Sequence, residues 1–152
     1  MTTATSQTTD ETQIRALIDD RINAVRAKDV DAASANVAPD IVSFDVVNPL
    51  RSIASGSSRK RAAEWFASFA APIGFEVSDL NITASGDVAF SHGLNHVSAT
   101  KADGEKLDMW WRATTCFRKS DGKWLITHEH NSVPFDITNG KASLDLRPQE
   151  KS

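Results

Sequence analysis

Two histidines flank a glutamate near the end of the sequence, in the segment GKWLITHEHNSVP at residues 122–134. In an extended strand His128 and His130 would share one face, and Glu129 would lie on the other. Trp124, Ile126 and Ser132 would accompany the histidines, and Leu125, Thr127 and Asn131 would accompany the glutamate. Two histidines at this spacing can reach one metal ion, but a metal site needs a third protein ligand and a hydrogen-bonded support. No further spacing signature is present, so we predict no metal and expect structural histidines at a subunit interface.

A lone cysteine and one basic cluster are the other reactive candidates. Cys116 cannot form an internal disulfide, and its strand-like surroundings favour the role of a small buried hydrophobic residue. Arg59, Lys60 and Arg61 precede an amphipathic run and are expected on a solvated helix face. We assign thiol or phosphate chemistry to neither group.

Charge and hydropathy exclude several classes of partner. The chain of 152 residues has a formal net charge of -3, which gives no basic field to attract nucleic acid or anionic lipid. No apolar run approaches the ~18 residues of a membrane span, and the N-terminal residues do not have the pattern of a signal peptide. We therefore expect no nucleic-acid or membrane partner and a cytoplasmic location.

Three helices and then a series of strands must position these side chains. Helical spacing of apolar residues predicts a first helix over residues 12–27, and Asp29 can cap a short second helix that ends at Pro39. The segment IVSFDVV predicts a strand, and RKRAAEWFASFAA predicts a third helix. Extended runs separated by turns fill residues 75–133 and predict four antiparallel strands. The fold class is therefore α+β, with a disordered segment at residues 1–9, one domain at residues 10–135 and a polar tail at residues 136–152.

The more apolar face of one long strand should meet the helices. In KLDMWWRATTCFRK that face carries Leu107, Met109, Trp111, Ala113, Thr115 and Phe117. Helix three is expected to add Trp65, Phe66 and Phe69 to the core. In FSHGLNHV, His92 and His96 share a face with Phe90 and Leu94, and the bounding turns do not fix which way this face points.

Three features resemble the nuclear transport factor-like superfamily, whose fold is shared by ketosteroid isomerase, scytalone dehydratase and SnoaL-like polyketide cyclases. They are the string AKDVDAASANVAPDIVSFD, a glycine at Gly56 that opens helix three, and the string FRKSDGKWLITHEHNSVP. The last string is also similar to the association domain of calcium/calmodulin-dependent protein kinase. The resemblance covers residues 10–135 and implies a cone-shaped, curved antiparallel sheet wrapped around three N-terminal helices. It also implies a small-molecule pocket on the concave side and a homodimer through the convex side, where we expect Trp110, Arg112, His128 and His130.

The resemblance also implies roles for single residues. Laid on the ketosteroid isomerase pattern, Asp45 takes the place of the proton-shuttling carboxylate. The two acidic donors that stabilise the enolate in that enzyme have no counterpart, because their positions fall on Arg21 and Thr115 and the chain contains no tyrosine. The same overlay places His92, Thr115 and Asn131 on the pocket side and the two late histidines on the convex side, unless a bulge in the last strand reverses its register.

The expected function is a cofactor-independent enzyme, an isomerase, cyclase, dehydratase or hydrolase, acting on an apolar molecule that bears a carbonyl group. Asp45 would be the general base and His92 a relay or polarising group. Substrate contacts are expected from Arg21, Trp65, Phe69, His96, Trp111, Thr115, Glu129 and Asn131. If Arg21 reaches Asp45, their ion pair would weaken the base and could hold an anionic substrate. The alternative is a non-catalytic ligand-binding or oligomerisation module of the same fold.

Overall fold

The computed structural model describes residues 3–148, in which three helices precede or interrupt a six-stranded sheet. The helices are α1 (Thr3–Ala27), α2 (Val30–Ala33) and α3 (Ser55–Ala67). The strands are β1 (Val37–Phe44), β2 (Ser52–Ile53), β3 (Gly74–Ser85), β4 (Val88–Thr100), β5 (Lys106–Ser120) and β6 (Lys123–Ser132). Among the described residues no helix has both the length and the apolarity needed to cross a membrane.

The sheet has the order β2-β1-β6-β5-β4-β3, and its curved, unclosed form with three helices confirms the predicted α+β fold class. Antiparallel pairing holds along β3, β4, β5 and β6 and between β1 and β2. The expectation of an entirely antiparallel sheet is wrong for one pair, because β1 runs parallel to β6. Most of the chain lies between these two strands in sequence, so no tight turn forces them to run in opposite directions.

Several boundaries differ from those predicted. Helix α1 already includes residues 3–9, which the sequence indicated as disordered, whereas residues 1–2 and 149–152 lie outside the described chain. The side chain of Asp10 joins α1 to β5: it is buried, and its Oδ1 lies 2.7 Å from Lys119 Nζ. Pro39 lies inside β1 and does not end α2; the pairing of β1 with β6 is interrupted between Val37 and Val42, as the missing N–H of proline requires.

The segment predicted as a loosely held polar tail begins with ordered turns. Phe135 pairs with Ala142, and the N–H of Gly140 donates to the carbonyl oxygen of Asp136 at 2.7 Å. Arg147 then forms an ion pair with Asp108 of β5. The described part of the tail is therefore fastened to the sheet at both ends.

Two groups of buried side chains hold the helices on the sheet. The first joins α1 to the sheet and comprises Ile14, Leu17, Ile41, Ala84, Ala89, Phe117, Trp124 and Ile126. The second joins α1, α2 and α3 to the sheet and comprises Ala24, Ala33, Phe66, Phe69, Ile73 and Val97. Phe117 is buried in the first group, while Leu107, Met109 and Trp111 pack against the second. The predicted helix-facing side of β5 and the predicted core residues of helix three are therefore confirmed.

A bulge in β6 changes which residues face the helices. Phe117 of β5 pairs with Ile126, but the next residue of β5, Cys116, pairs with His128, so Thr127 has no partner in the ladder. Before the bulge, Ile126 is buried in the core; after it, Glu129 faces the helices. The bulge therefore separates His128 from the apolar face that strict alternation would have given it.

Candidate functional site

A cavity of about 590 Å³ lies between the helices and the concave face of the sheet. Its volume falls within the range of roughly 300–1,000 Å³ that is common for small-molecule sites. Apolar side chains form much of its wall, among them Ile18, Ile22, Val25, Val97, Leu107 and Met109. We call this space the cone cavity.

Aromatic side chains line part of the cone cavity. The rings of Trp65 and Trp111 meet edge to face with centroids 6.4 Å apart, and Phe75 lies 5.8 Å from Trp111. Phe69 was expected to contact the ligand, but it is 3% exposed and packs behind Trp65 at 5.3 Å. Helix α3 ends at Ala67, so Phe69 leaves the helical stripe and fills the core instead.

Arg21 and Glu129 form an ion pair on the wall of the cone cavity. The second half of α1 places Arg21 beside β6, and its Nη1 lies 2.6 Å from Glu129 Oε1. Its Nε donates to the carbonyl oxygen of Ala33, at 3.3 Å, at the end of α2. Glu129 pairs across the sheet with Thr115, and both line the cavity with Asn131.

Asp45 follows the last residue of β1 and also lines the cone cavity. Its Oδ2 accepts a hydrogen bond from Arg61 Nη1 at 2.9 Å, and its Oδ1 accepts one from the backbone N–H of Val46 at 2.7 Å. The sequence left open whether Arg21 reaches Asp45; this pair does not form, because Arg21 pairs with Glu129. Asp45 is therefore held at both oxygens.

Arg61 is the site residue that sequence reasoning missed. We expected it on a solvated helix face, yet its side chain is 23% exposed and lines the cone cavity. Its Nε is buried and has no hydrogen-bond partner within residues 3–148. A signal was present: Ser58, Arg61, Ala62 and Trp65 follow one helical stripe, and all four line the cavity.

His92 and His96 do not face the cone cavity, which corrects two expected site residues. In β4 the neighbouring Ser91 and Gly93 line the cavity, so the alternation of the strand sends His92 to the opposite face, where it is exposed. There it borders a shallow groove with Arg112. The turns that bound β4 left this face undetermined, and the family overlay placed His92 on the pocket side. The packing of Val97, which is 1% exposed, gives the opposite orientation, so that placement is wrong.

His96 belongs to a polar network on the convex face of the sheet. Its Nδ1 lies 2.9 Å from Glu76 Oε1, its Nε2 lies 2.9 Å from Asp108 Oδ1, and its ring stacks on Trp110 at 4.3 Å. Burial alone lowers the pKa of His96, but the hydrogen bonds and negative charges of the two carboxylates together raise it by more, so the pKa lies above its usual value. Asp108 also pairs with Arg147, and these two partners lower the pKa of its carboxyl.

The two late histidines also lie on the convex face. The Nδ1 of His128 donates to the carbonyl oxygen of Val42 at 2.7 Å, and Phe44 contacts both rings edge to face, at 4.8 Å for His128 and 5.3 Å for His130. Across the residues that the structure describes, no three histidine, cysteine, aspartate or glutamate side chains are placed to hold a metal ion.

The arrangement supports acid–base chemistry on a small molecule. Two carboxylates, each beside a guanidinium, face one mostly apolar space. A carboxylate in such a space can remove a proton from carbon or activate water, and arginine, threonine and asparagine can donate hydrogen bonds to an oxygen that gains negative charge.

Comparison with protein families gives one match over most of the chain. A model described as a SnoaL-like domain matches residues 14–136. A search of curated proteins gives no match.

Solved structures agree with this match. An NTF2-like protein of unknown function from Pseudomonas putida KT2440 is 35% identical to this chain. The alignment covers 93% of this chain and 98% of that one, with a TM-score of 0.85. A proposed dehydratase of the NTF2-like family from Streptomyces avermitilis is 17% identical, over 83% and 97% of the two chains, with a TM-score of 0.73. A proposed aromatic ring hydroxylase from Novosphingobium aromaticivorans is 18% identical, over 81% and 87%, with a TM-score of 0.73. At these lower identities the likeness is one of fold.

Proposed function

The chain belongs to the SnoaL-like domain family, and we propose that it is a small-molecule enzyme that uses a carboxylate of the cone cavity as general base. Its substrate is an apolar molecule that bears a carbonyl group, and its reaction is an isomerisation, cyclisation, dehydration or hydrolysis. Removal of a proton from the carbon next to a carbonyl group needs no cofactor. Two solved relatives of the same fold are named for a proposed dehydratase and a proposed hydroxylase, which supports small-molecule chemistry in this fold.

The observation that carries this proposal is the position of Asp45 and Glu129 on the wall of one mostly apolar cavity. We assign the base to Asp45, whose hydrogen bonds to Arg61 and Val46 fix the direction of its oxygens. Charge-assisted hydrogen bonds of this kind orient a catalytic group as well as stabilise it.

Negative charge that develops on the carbonyl oxygen of the substrate also needs donors. Arg21, Thr115 and Asn131 line the same cavity and carry N–H or O–H groups. They would replace the two acidic donors that the chain lacks. Preorganised donors of this kind are worth ~10²–10³ in turnover each.

The test is the replacement of Asp45 once a ligand retained by the purified protein has been identified by mass spectrometry and its turnover measured. Asp45→Asn keeps the shape of the side chain but removes the basic oxygen, so turnover should fall by ~10²–10⁴ while ligand affinity survives. Asp40→Asn, which changes an exposed carboxylate of β1, is the matched control and should leave turnover unchanged. If Asp45→Asn leaves turnover unchanged but Glu129→Gln abolishes it, the base is Glu129.

A second candidate function is a ligand-binding module without catalysis. One specific observation favours it: both oxygens of Asp45 already accept hydrogen bonds, from Arg61 and from the N–H of Val46. In that case Asp45 is a structural partner of Arg61. Asp45→Asn would then lower the free energy of unfolding. The unmodified protein would bind the retained ligand without converting it to a product.

We also propose a homodimer through the convex face of the sheet. Trp110, Arg112, His128 and His130 lie there, as the family resemblance implies. The side chain of Phe90, which alternates with the buried Ala89 and Ser91 and is 46% exposed, adds apolar surface that a partner subunit would cover.

A further inference from the structure

Each arginine that lines the cone cavity is paired with a carboxylate. Within the described residues the ionisable lining groups of the cavity are Arg21 and Arg61 against Asp45, Glu64 and Glu129. The two positive charges are each paired with one carboxylate, at 2.6 Å for Arg21 and 2.9 Å for Arg61. Glu64 is exposed at the edge of the cavity and forms no ion pair with a described residue.

An anionic ligand would therefore find no unpaired guanidinium in this cavity. To bind arginine it would have to displace Glu129 or Asp45, or sit in a mostly apolar space beside a pair that is already neutral. Both routes are costly, because a charge removed from water needs a counter-charge, and a displaced carboxylate would lose its own.

An uncharged carbonyl oxygen meets no such obstacle. Guanidinium groups carry five N–H donors, and each ion pair uses only part of this set. Arg61 donates to Asp45 through Nη1, and Arg21 donates to Glu129 through Nη1 and to Ala33 through Nε, so other N–H groups of both guanidinium groups remain. A neutral oxygen can accept from a remaining donor of either arginine while the ion pair stays intact.

We propose that the cone cavity selects uncharged, oxygen-bearing apolar ligands over the corresponding carboxylates, and that Asp45 and Glu129 determine this specificity by neutralising the two arginines. The inference rests on the proposed function, since it names the class of ligand for the same cavity. It can be tested separately from catalysis, because it concerns equilibrium binding and requires no turnover.

The experiment compares two probes of nearly equal shape, 2-acetylnaphthalene and 2-naphthoate, by isothermal titration calorimetry near neutral pH. The unmodified protein should bind the ketone at least ~10-fold more tightly than the carboxylate, since a single uncompensated charge changes a local equilibrium by about this factor or more. Glu129→Gln and Asp45→Asn each leave one arginine unpaired. In each variant the Kd of naphthoate should fall by ~10-fold, while that of the ketone changes far less.

The matched control is Glu64→Gln, which removes one negative charge at the edge of the cavity but frees no arginine. Its effect on naphthoate should be smaller than that of either paired carboxylate. Both Glu129→Gln and Asp45→Asn are measured, and circular dichroism checks that each is folded. If one variant misfolds, the other still tests the inference.

Naphthoate binding as tight as ketone binding, or no gain of naphthoate affinity in the paired variants, would overturn the inference and leave the proposed function standing. Binding of neither probe to the unmodified protein would overturn both. The expected selectivity in a protein that turns over no substrate would support the inference and count against the enzyme.

Discussion

At the scale of single residues, the cone cavity is organised by which arginine meets which carboxylate. Arg21 of α1 forms an ion pair with Glu129 of β6, and Asp45 pairs instead with Arg61 of α3. Each pair joins a helix to a strand or to the residue that follows one, so the same contacts that set the charge of the cavity also fix the helices over the sheet. Arg61, which the sequence predicted on a solvated surface, therefore holds Asp45 in position.

A pH-dependent contribution to stability is expected from His96, whose pKa lies above its usual value of 6.5. A raised pKa means that the folded chain binds the proton more tightly than the unfolded chain. The contribution is then fully present below pH 6.5 and is lost as the pH rises through the raised pKa. In urea denaturation, His96→Gln should therefore lower the free energy of unfolding more at about pH 5.5 than at about pH 8.5.

The control for this prediction is His92→Gln on the same face of β4. His92 is in no ion pair among the described residues, so its replacement removes an imidazole without removing a contact to a carboxylate. An effect of His96→Gln that grows with pH would contradict the assignment of the network to protonated His96.

At the scale of secondary-structure elements, α3 forms one side of the cone cavity. It carries Arg61 and Trp65 on the cavity wall, and it is held to the sheet by Phe66, which is 4% exposed. Helix α2 contributes Ala33 as an acceptor for Arg21, and the side chain of Asp29 caps it by accepting from the N–H of Ala32 at 3.1 Å. Short elements thus fix the long side chains that line the cone cavity.

Removal of the Phe66 side chain should loosen α3. Phe66→Ala leaves a cavity in the core, so the free energy of unfolding should fall by ~3–5 kcal/mol. Chemical denaturation measures this loss. Phe135→Ala, at a ring that is 65% exposed, serves as the control and should cost clearly less. Equal costs would show that Phe66 does not anchor the helix.

At the scale of the whole molecule, one face of the sheet is covered by helices and the other carries aromatic, charged and histidine side chains. The convex network of Glu76, His96, Asp108 and Arg147 links β3, β4, β5 and the C-terminal segment. This face is half-buried in places, with Trp110 stacked on His96, and exposed at Arg112 and His130. It is the surface on which the proposed homodimer depends.

Static light scattering at micromolar concentration should give twice the chain mass of 16.5 kDa. His130→Asp would bring like charges together across a two-fold interface and should shift the protein toward the monomer. Glu64→Gln, at an exposed residue of α3 over the opposite face of the sheet, should keep the dimer mass. A monomer mass for the unmodified protein would contradict the proposed interface.

The sequence by itself determined the features that depend on local periodicity and composition. It predicted the α+β class and its family, which the SnoaL-like match confirms. It also predicted the cap at Asp29 and the face of β5 that carries Trp111 and Phe117. These follow from alternation within one strand, helical spacing within one helix, and a capping side chain near its own backbone, so no distant residue is needed to predict them.

The tertiary structure decided every feature that requires a partner far away in the chain. The parallel pairing of β1 with β6, the bulge at Thr127 and the outward direction of His92 depend on register against a neighbouring strand. A shift of one residue reverses every side chain of a strand, and the sequence of that strand does not record the shift when both of its faces carry polar groups. The pairing of Glu129 with Arg21 and of Asp45 with Arg61 also depends on distant parts of the chain, because only the packing of the helices on the sheet determines which opposite charges meet.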